Sequence, residues 1–383
     1  MKIGFLTELF PPSVGGQEQR FAELANSLAM RGHQVTVMCV RHSSELAIQE
    51  RLSNGVVVIR QPTLPHYSKP LHGLLPRSLL GMLRYALAAR HLTQRQDFNV
   101  IFLNQWPLLH ILALSRRNRM RAIVDWCEIR HSTIFQIIQK ILPKLVSANT
   151  AVSTQVGQRI RPFSRGRVLV LPSGIVGACY RMDPPECRRG VLYVGRVTGH
   201  KNLPLLIDVY EELCRRGFAE PLTIAGEGPA SEALRRRVGT SSFRSRMELV
   251  GFVSDDRKCQ LLAGAKLLIM TSRREGFPRV VAEAMASGLP MIAARYPQNG
   301  TVAVVEEFQC GLCADPTPHD LADAAQAVLN DWDAWSARAH FRAASLEWSS
   351  LVQQFEAFLN ETAVRARSVS LSKETPGASC ASL

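Results

Sequence analysis

The chain has 383 residues, 46% hydrophobic, 20% charged and 7% aromatic. That length suits two domains with cores of their own, and the composition excludes a disordered, fibrous or integral membrane protein. The net charge of +14 is unevenly spread. Residues 1–182 carry 23 Lys and Arg against 8 Asp and Glu, while residues 183–383 carry 23 against 24. The first half is therefore expected to face something anionic.

In chain order, KIGFLT is a short β-rich run followed by Glu8 and a break at Pro11-Pro12, which is no secretory signal. With no export route expected, the nine cysteines read as reduced thiols of a cytoplasmic protein. Gly15-Gly16 opens a helix with Phe21, Leu24, Ala25, Leu28 and Ala29 on one face; Gly32 closes it, and HQVTVMCV starts a second strand. Strand, glycine turn, helix and strand make a βαβ unit with a parallel sheet. Further strands are expected at 56–60, 99–103, 121–126, 147–153 and 167–172. The most apolar stretch, 98–115, contains Asn, Gln, Pro and His and reads as a strand followed by a helix, not a bilayer span. Segment 66–96 contains Lys69, Arg77, Arg84, Arg90 and Arg95 without an acid. As a helix it lines up Leu79, Met82, Leu83, Ala86 and Leu87 beside Arg77, Arg84 and His91. That pattern fits an interfacial helix facing a membrane or acceptor as well as an ordinary surface helix.

The turn-rich stretch 172–190 reads as a linker, after which the strand–helix pattern restarts with GVLYVGRV, NLPLLIDVYEELCRRG, PLTIAGEG, SEALRRRV, MELVGFV, DDRKCQLLAGA, KLLIMTS, PRVVAEAMASG and LPMIAA. The expected architecture is α/β: two Rossmann-like doubly wound parallel-sheet domains facing a central cleft, with ligands at the carboxyl ends of the strands. The domains are expected at 1–178 and 179–362, the last helix ending near Thr362, with 363–383 a disordered tail.

Gly15-Gly16, between strand and helix, permits close ligand approach or simply a tight turn. Gly195-Arg196 ends a strand and Lys201 begins the next helix, so two cations of different shape stand at one loop, as a diphosphate would require. In SRREGFPRVVAEAMASGLP, Glu275 precedes a helix and Glu283 follows eight positions later, a spacing that can place both on one side of one element. Gly276-Phe277-Pro278 then sets free N–H groups at a helix N-terminus, and the two carboxylates can accept sugar and ribose hydroxyls. Cys310 and Cys313 lack a second pair or nearby His, and His33, His42, His66 and His72 lack ligand spacing, so no metal site is expected. Trp106, Trp126 and Trp348 read as core or acceptor-cleft residues.

LYVGRVTGHKNLPLLI, LTIAGEGP, LVGFVSDD and EGFPRVVAEAMASGLPMIA, in that order, resemble the retaining nucleotide-sugar glycosyltransferases of family 4, whose architecture is GT-B. The resemblance runs from Met1 to the last helix, and WSSLVQQFEAFL resembles the helix that returns to the N-terminal domain. It implies that Arg196 and Lys201 hold the donor diphosphate, that Glu275 contacts the transferred sugar and that Glu283 contacts the ribose. Gly195, Gly276, Phe277 and Pro278 would line the donor pocket, with Gly16 facing it from the N-terminal domain. The resemblance implies no metal and no cofactor; the nucleotide-sugar is a substrate. Two departures stand out: Cys127 occupies a position where relatives often carry His, with Glu128 and His131 as nearby substitutes, and Ser173-Gly174-Ile175-Val176 lacks a usual acid.

The expected activity is transfer of a sugar from a nucleoside-diphosphate sugar to a hydroxyl of a saccharide or lipid-linked acceptor, with retention, as in polysaccharide or glycolipid synthesis. The basic half would dock on an anionic membrane at its cytoplasmic face, with no nucleic-acid partner. The alternatives are a nucleotide-sugar epimerase or hydrolase of the same fold, or a degenerate scaffold that binds nucleotide-sugar or lipid.

Overall fold

The computed structural model describes residues 1–13, 15–62 and 79–374. They divide into two compact units: Met1–Val152 with Gly157–Leu171 and the chain from Val352 onward, and Ser153–Val156 with Pro172–Leu351.

The first unit contains β1 (Lys2–Leu6), α1 (Gly16–Met30), β2 (Gln34–Arg41), β3 (Gln49–Arg51), β4 (Val57–Pro62), α2 (Leu79–Arg95), β5 (Val100–Asn104), α3 (Leu109–Ala113), α4 (Arg116–Arg119), β6 (Ala122–Trp126), α5 (Thr133–Ile141) and β7 (Ala148–Ala151). α6 (Thr154–Ile160) and β8 (Val168–Val170) follow. The sheet order is β3-β4-β2-β1-β5-β6-β7-β8, parallel except for the β3–β4 pair. The run VIFLN of β5 and AIVDW of β6 are buried throughout, as strands covered on both faces must be. The strand order reverses between β1 and β5. Right-handed crossovers then place α1 on one face of the sheet and α2, α3 and α5 on the other.

The second unit contains β9 (Val191–Val194), α7 (Leu203–Arg215), β10 (Leu222–Ala225), α8 (Ser231–Gly239), β11 (Met247–Gly251), α9 (Asp255–Gly264), β12 (Leu267–Met270), β13 (Arg274–Glu275), α10 (Arg279–Ala286), β14 (Met291–Ala294), β15 (Gln298–Asn299), α11 (Gly300–Phe308), β16 (Gly311–Ala314), α12 (Pro318–Asn330) and α13 (Trp332–Ala343). Its sheet, β11-β10-β9-β12-β14-β16, is wholly parallel and reverses between β9 and β12. In each unit the loop leaving the reversal strand, after β1 or after β9, emerges where doubly wound sheets bind ligands.

Several details differ from the sequence expectation. β3 and the two-residue pair β13–β15 were not foreseen, being too short to carry a hydrophobic period. The last helix, α14 (Trp348–Glu374), does not stop near Thr362. No proline or glycine interrupts it before Pro376-Gly377, and Ala363 and Ala366 are buried. Phe355 of α14 packs on Phe102, which also stacks on Phe21 of α1, so α14 lies on the α1 side of the first sheet. Within the expected linker, much of which is exposed, Arg188 is fully buried and donates to the carbonyls of Asp183, Ser287 and Gly288, terminating α10. No described helix is long and apolar enough to cross a membrane.

Candidate active site

The second unit assembles most of the residues singled out from the sequence. β9 is followed by Gly195 and Arg196, and a short 3-10 turn (Gly199–Lys201) leads through Asn202, in left-handed conformation, into α7 with Pro204 in its first turn. Two neighbouring loops hold that turn. Thr271 Oγ1, just beyond β12, donates to the Lys201 carbonyl at 3.0 Å, and the Arg273 N–H donates to the His200 carbonyl at 2.8 Å. Gly226, after β10, has φ +140° and sits where a Cβ would run into the Gly195 carbonyl, so only glycine allows the GEG loop to support the Gly195–Arg196 backbone.

Lys201 Nζ and Glu275 Oε1 are in direct contact, and both side chains are largely buried. Glu275 belongs to β13, which pairs with β15, and α10 begins four residues later. The two glutamates therefore do not share one element, and the eight-residue spacing is not two turns of a helix. The bend at Gly276 and the extended Pro278 separate them instead. Gly276 and Phe277 are buried, and no side chain caps the first turn of α10, which leaves its N–H groups for a ligand. Arg196 is exposed, and its guanidinium has no hydrogen bond or ion pair among the described residues.

Glu283 is 3% exposed and lies within a charged network that the sequence reading missed. Lys258 Nζ of α9 donates to it at 3.0 Å, and Arg279 Nε is 3.5 Å away. The Tyr180 hydroxyl also faces it, and burial together with this carboxylate pushes that phenol up. Burial alone would depress the Lys258 ammonium, but Glu283 and Asp255 outweigh it and hold its pKa above the ordinary lysine value. The only sequence signal for Lys258 was its place in the helix after LVGFVSDD. The Tyr193 hydroxyl, also pushed up by burial and by Glu275, donates to the Arg196 carbonyl at 3.3 Å.

In the first unit, Gly16 begins α1, whose Arg20 is fully buried against Asp125 of β6 (Nε–Oδ2 3.1 Å, Nη2–Oδ1 3.2 Å). Arg20 Nη2 also donates to the Leu171 carbonyl at 2.8 Å, and Thr150 Oγ1 donates to Asp125 at 2.6 Å, so the pair is hydrogen-bonded on several sides. Just beyond β6, Gln105 Oε1 accepts from the N–H groups of Cys127 (3.1 Å) and Glu128 (3.3 Å) and from the Cys127 thiol (3.4 Å). Burial, reinforced by Glu128 and Asp125, pushes the Cys127 thiol well above its ordinary value, so it is a neutral group and no nucleophile. Glu128 is paired with Arg130 at 2.8 Å, and Arg130 stacks 4.3 Å over the Trp106 ring. The half-buried His131 ring makes no hydrogen bond among the described residues.

Helix α2 buries Ala86 of the stripe read from the sequence but not its leucines. Tyr85, Ala86 and Ala89 turn into the core, whereas Leu79, Leu83 and Leu87, with Leu80, are 49–56% exposed beside exposed Arg84, Arg90 and Arg95. The Tyr85 hydroxyl anchors the helix by donating to the Thr7 and Met38 carbonyls. Lys69 and Arg77 lie outside the described residues.

Two family models divide the chain between them: Glycosyltransferase Family 4 matches residues 14–176, and Glycosyl transferases group 1 matches residues 183–348. Alpha-D-kanosaminyltransferase of Streptomyces kanamyceticus is 33% identical over 143 residues, 37% of this chain and 36% of that relative. The gpi3 subunit of the phosphatidylinositol N-acetylglucosaminyltransferase of Schizosaccharomyces pombe is 22% identical over 345 residues, 85% of this chain and 72% of the relative. Among solved structures, HepE of Anabaena in complex with UDP superposes with a TM-score of 0.72 at 20% identity, covering 94% of this chain and 100% of that one. The ordered glycine, arginine, lysine and glutamate motifs, the two doubly wound sheets and these matches agree: the chain is a glycosyltransferase and belongs to glycosyltransferase family 4, with the GT-B fold.

Proposed function

We propose that the protein transfers a hexose-type sugar from a nucleoside-diphosphate sugar to a hydroxyl of a saccharide or lipid-linked acceptor, with retention of configuration and with side-chain cations neutralising the diphosphate. The observation that carries this reading is the Lys201–Glu275 contact beside the unpaired Arg196 and the uncapped α10. An arriving diphosphate would take Lys201 from Glu275 and share it with Arg196. The carboxylate so released would accept hydroxyls of the transferred sugar, while Glu283, held by Lys258 and Arg279, would receive the ribose. The proposed route forms no covalent glycosyl-enzyme. The departing diphosphate then accepts the proton of the acceptor hydroxyl on the same face of the sugar. The protein contributes charge stabilisation and positioning. Glu128 and His131 would serve the acceptor.

Calorimetric titration with UDP-, GDP- and ADP-sugars tests the donor assignment: one nucleotide series should bind, and binding by none would overturn it. Release of an altered or free sugar at the full catalytic rate, with donor alone, would instead favour an epimerase or hydrolase.

The excess of cations in residues 1–182 and the exposed Leu and Arg residues of α2 support docking of the first unit on the anionic face of a membrane, where a lipid-linked acceptor would lie. One relative is named as a phosphatidylinositol N-acetylglucosaminyltransferase subunit, which fits that choice of acceptor.

A further inference from the structure

Helix α5 inverts the usual arrangement of a surface helix. Its inward residue Gln139 is buried, donating to the Arg130 and Phe135 carbonyls and accepting from the Arg130 N–H. Its outward stripe is apolar: Ile134, Ile137 and Ile141, at i, i+3 and i+7, are 71%, 53% and 50% exposed. Core packing would place the isoleucines inside and the glutamine outside, so the outward stripe answers to something beyond the domain. The surrounding charge says what. Lys140, Lys144, Arg116 and Arg117 are exposed, while the acids between 79 and 144 are Asp97, paired with Arg121, Asp125, buried on Arg20, and Glu128, paired with Arg130. The crossovers that carry the chain from β4 to β5, β6 and β7 all run in one direction across the sheet, which puts α5 on the same face as α2 and α3. Of the exposed large apolar residues, Leu79, Leu80, Leu83, Leu87, Leu112, Ile134, Ile137 and Ile141 all lie on these three helices.

We infer that α5 is a membrane-insertion element. Ile134, Ile137 and Ile141 enter the acyl boundary of an anionic bilayer, Lys140 and Lys144 meet lipid phosphates, and α2 supplies the other end of the contact. Two elements on one sheet face fix the orientation of the unit on the surface, where one helix alone would let it roll. The inference rests on the membrane reading proposed above and adds the element and the occupant.

The test is sedimentation with vesicles of phosphatidylglycerol and phosphatidylcholine in equal parts, against phosphatidylcholine alone. The wild-type protein should pellet with the former. Ile134→Ser/Ile137→Ser should partition roughly tenfold or more less strongly with an unchanged thermal melt. Ile137→Trp should shift its emission to the blue on anionic vesicles and be quenched by brominated acyl chains. Equal pelleting of the wild type and the double variant would overturn the role of α5 while leaving the membrane reading standing. No pelleting of the wild type would overturn both. A dimer that the double variant dissolves, with pelleting unaffected, would assign the isoleucines to a second copy of the chain and refute the inference.

Discussion

At the scale of single residues, the Lys201–Glu275 contact is the pair that the proposed donor diphosphate would open. Neither group needs to move far, because Thr271 and Arg273 hold the Lys201 turn and β15 holds Glu275. Glu275→Gln removes the carboxylate and frees Lys201. Nucleoside-diphosphate affinity should stay the same or rise slightly, while kcat falls on the order of a hundredfold or more, since the lost interaction acts on the reacting sugar. Paired calorimetry and initial-rate measurements check this. Parallel losses in affinity and kcat would remove Glu275 from the sugar. At the two departures from the family pattern, burial pushes the Cys127 thiol up while Gln105 holds it, and Ser173 is buried. Lys258 was illegible in the sequence because its partner Glu283 lies on another helix, and nothing in a solvent-like DDRKCQ run points to that pairing.

At the scale of elements, the loops that leave the strands matter more than the strands themselves. Gly226 and Gly195 back onto each other, so the turn carrying Arg196 is supported from beneath by the loop after β10. Gly226→Ala places a methyl group against the Gly195 carbonyl and strains a backbone at φ +140°. The expected result is a loss of about 1–3 kcal/mol in stability and at least tenfold weaker nucleoside-diphosphate binding. Gly217→Ala is the control, since its φ of +95° carries similar strain but a Cβ there meets nothing. That variant should lose stability and keep its binding. Titration calorimetry of both variants separates strain from loop displacement. The helices were legible because their 3.6-residue periods are strong. β13 was not: two residues carry no period, yet they decide where Glu275 stands.

At the scale of the whole molecule, the first unit carries a concealed sensitivity to acid. His110 of α3 is fully buried, with both ring nitrogens lacking a partner among the described residues, and burial pushes its pKa down to about 3. The folded-state value lies below the unfolded one, so the unfolded chain takes up a proton that the folded chain refuses. The contribution of His110 is expected to be complete above pH 6.5 and to be lost as pH drops from 6.5 toward 3, by up to about 1.4 kcal/mol per pH unit. His110→Leu should flatten this dependence relative to the wild type across that window, as followed by urea unfolding at successive pH values. Identical slopes would show that the imidazole is solvated in the fold.

The sequence by itself determined the fold class, the order of most strands and helices, the family and most of the residues of the proposed donor site. These are written in local periods and in short motifs whose glycines, cations and carboxylates are neighbours along the chain. Only the tertiary structure decided which charges meet: Lys201 with Glu275, Lys258 with Glu283, and Arg20 with Asp125, each pair joined across elements far apart in sequence. It also decided which face of an amphipathic helix turns outward. Periodicity identifies the apolar side of α2, but not that the sheet beneath is already covered by Tyr85, Ala86 and Ala89 and leaves the leucines without a place inside.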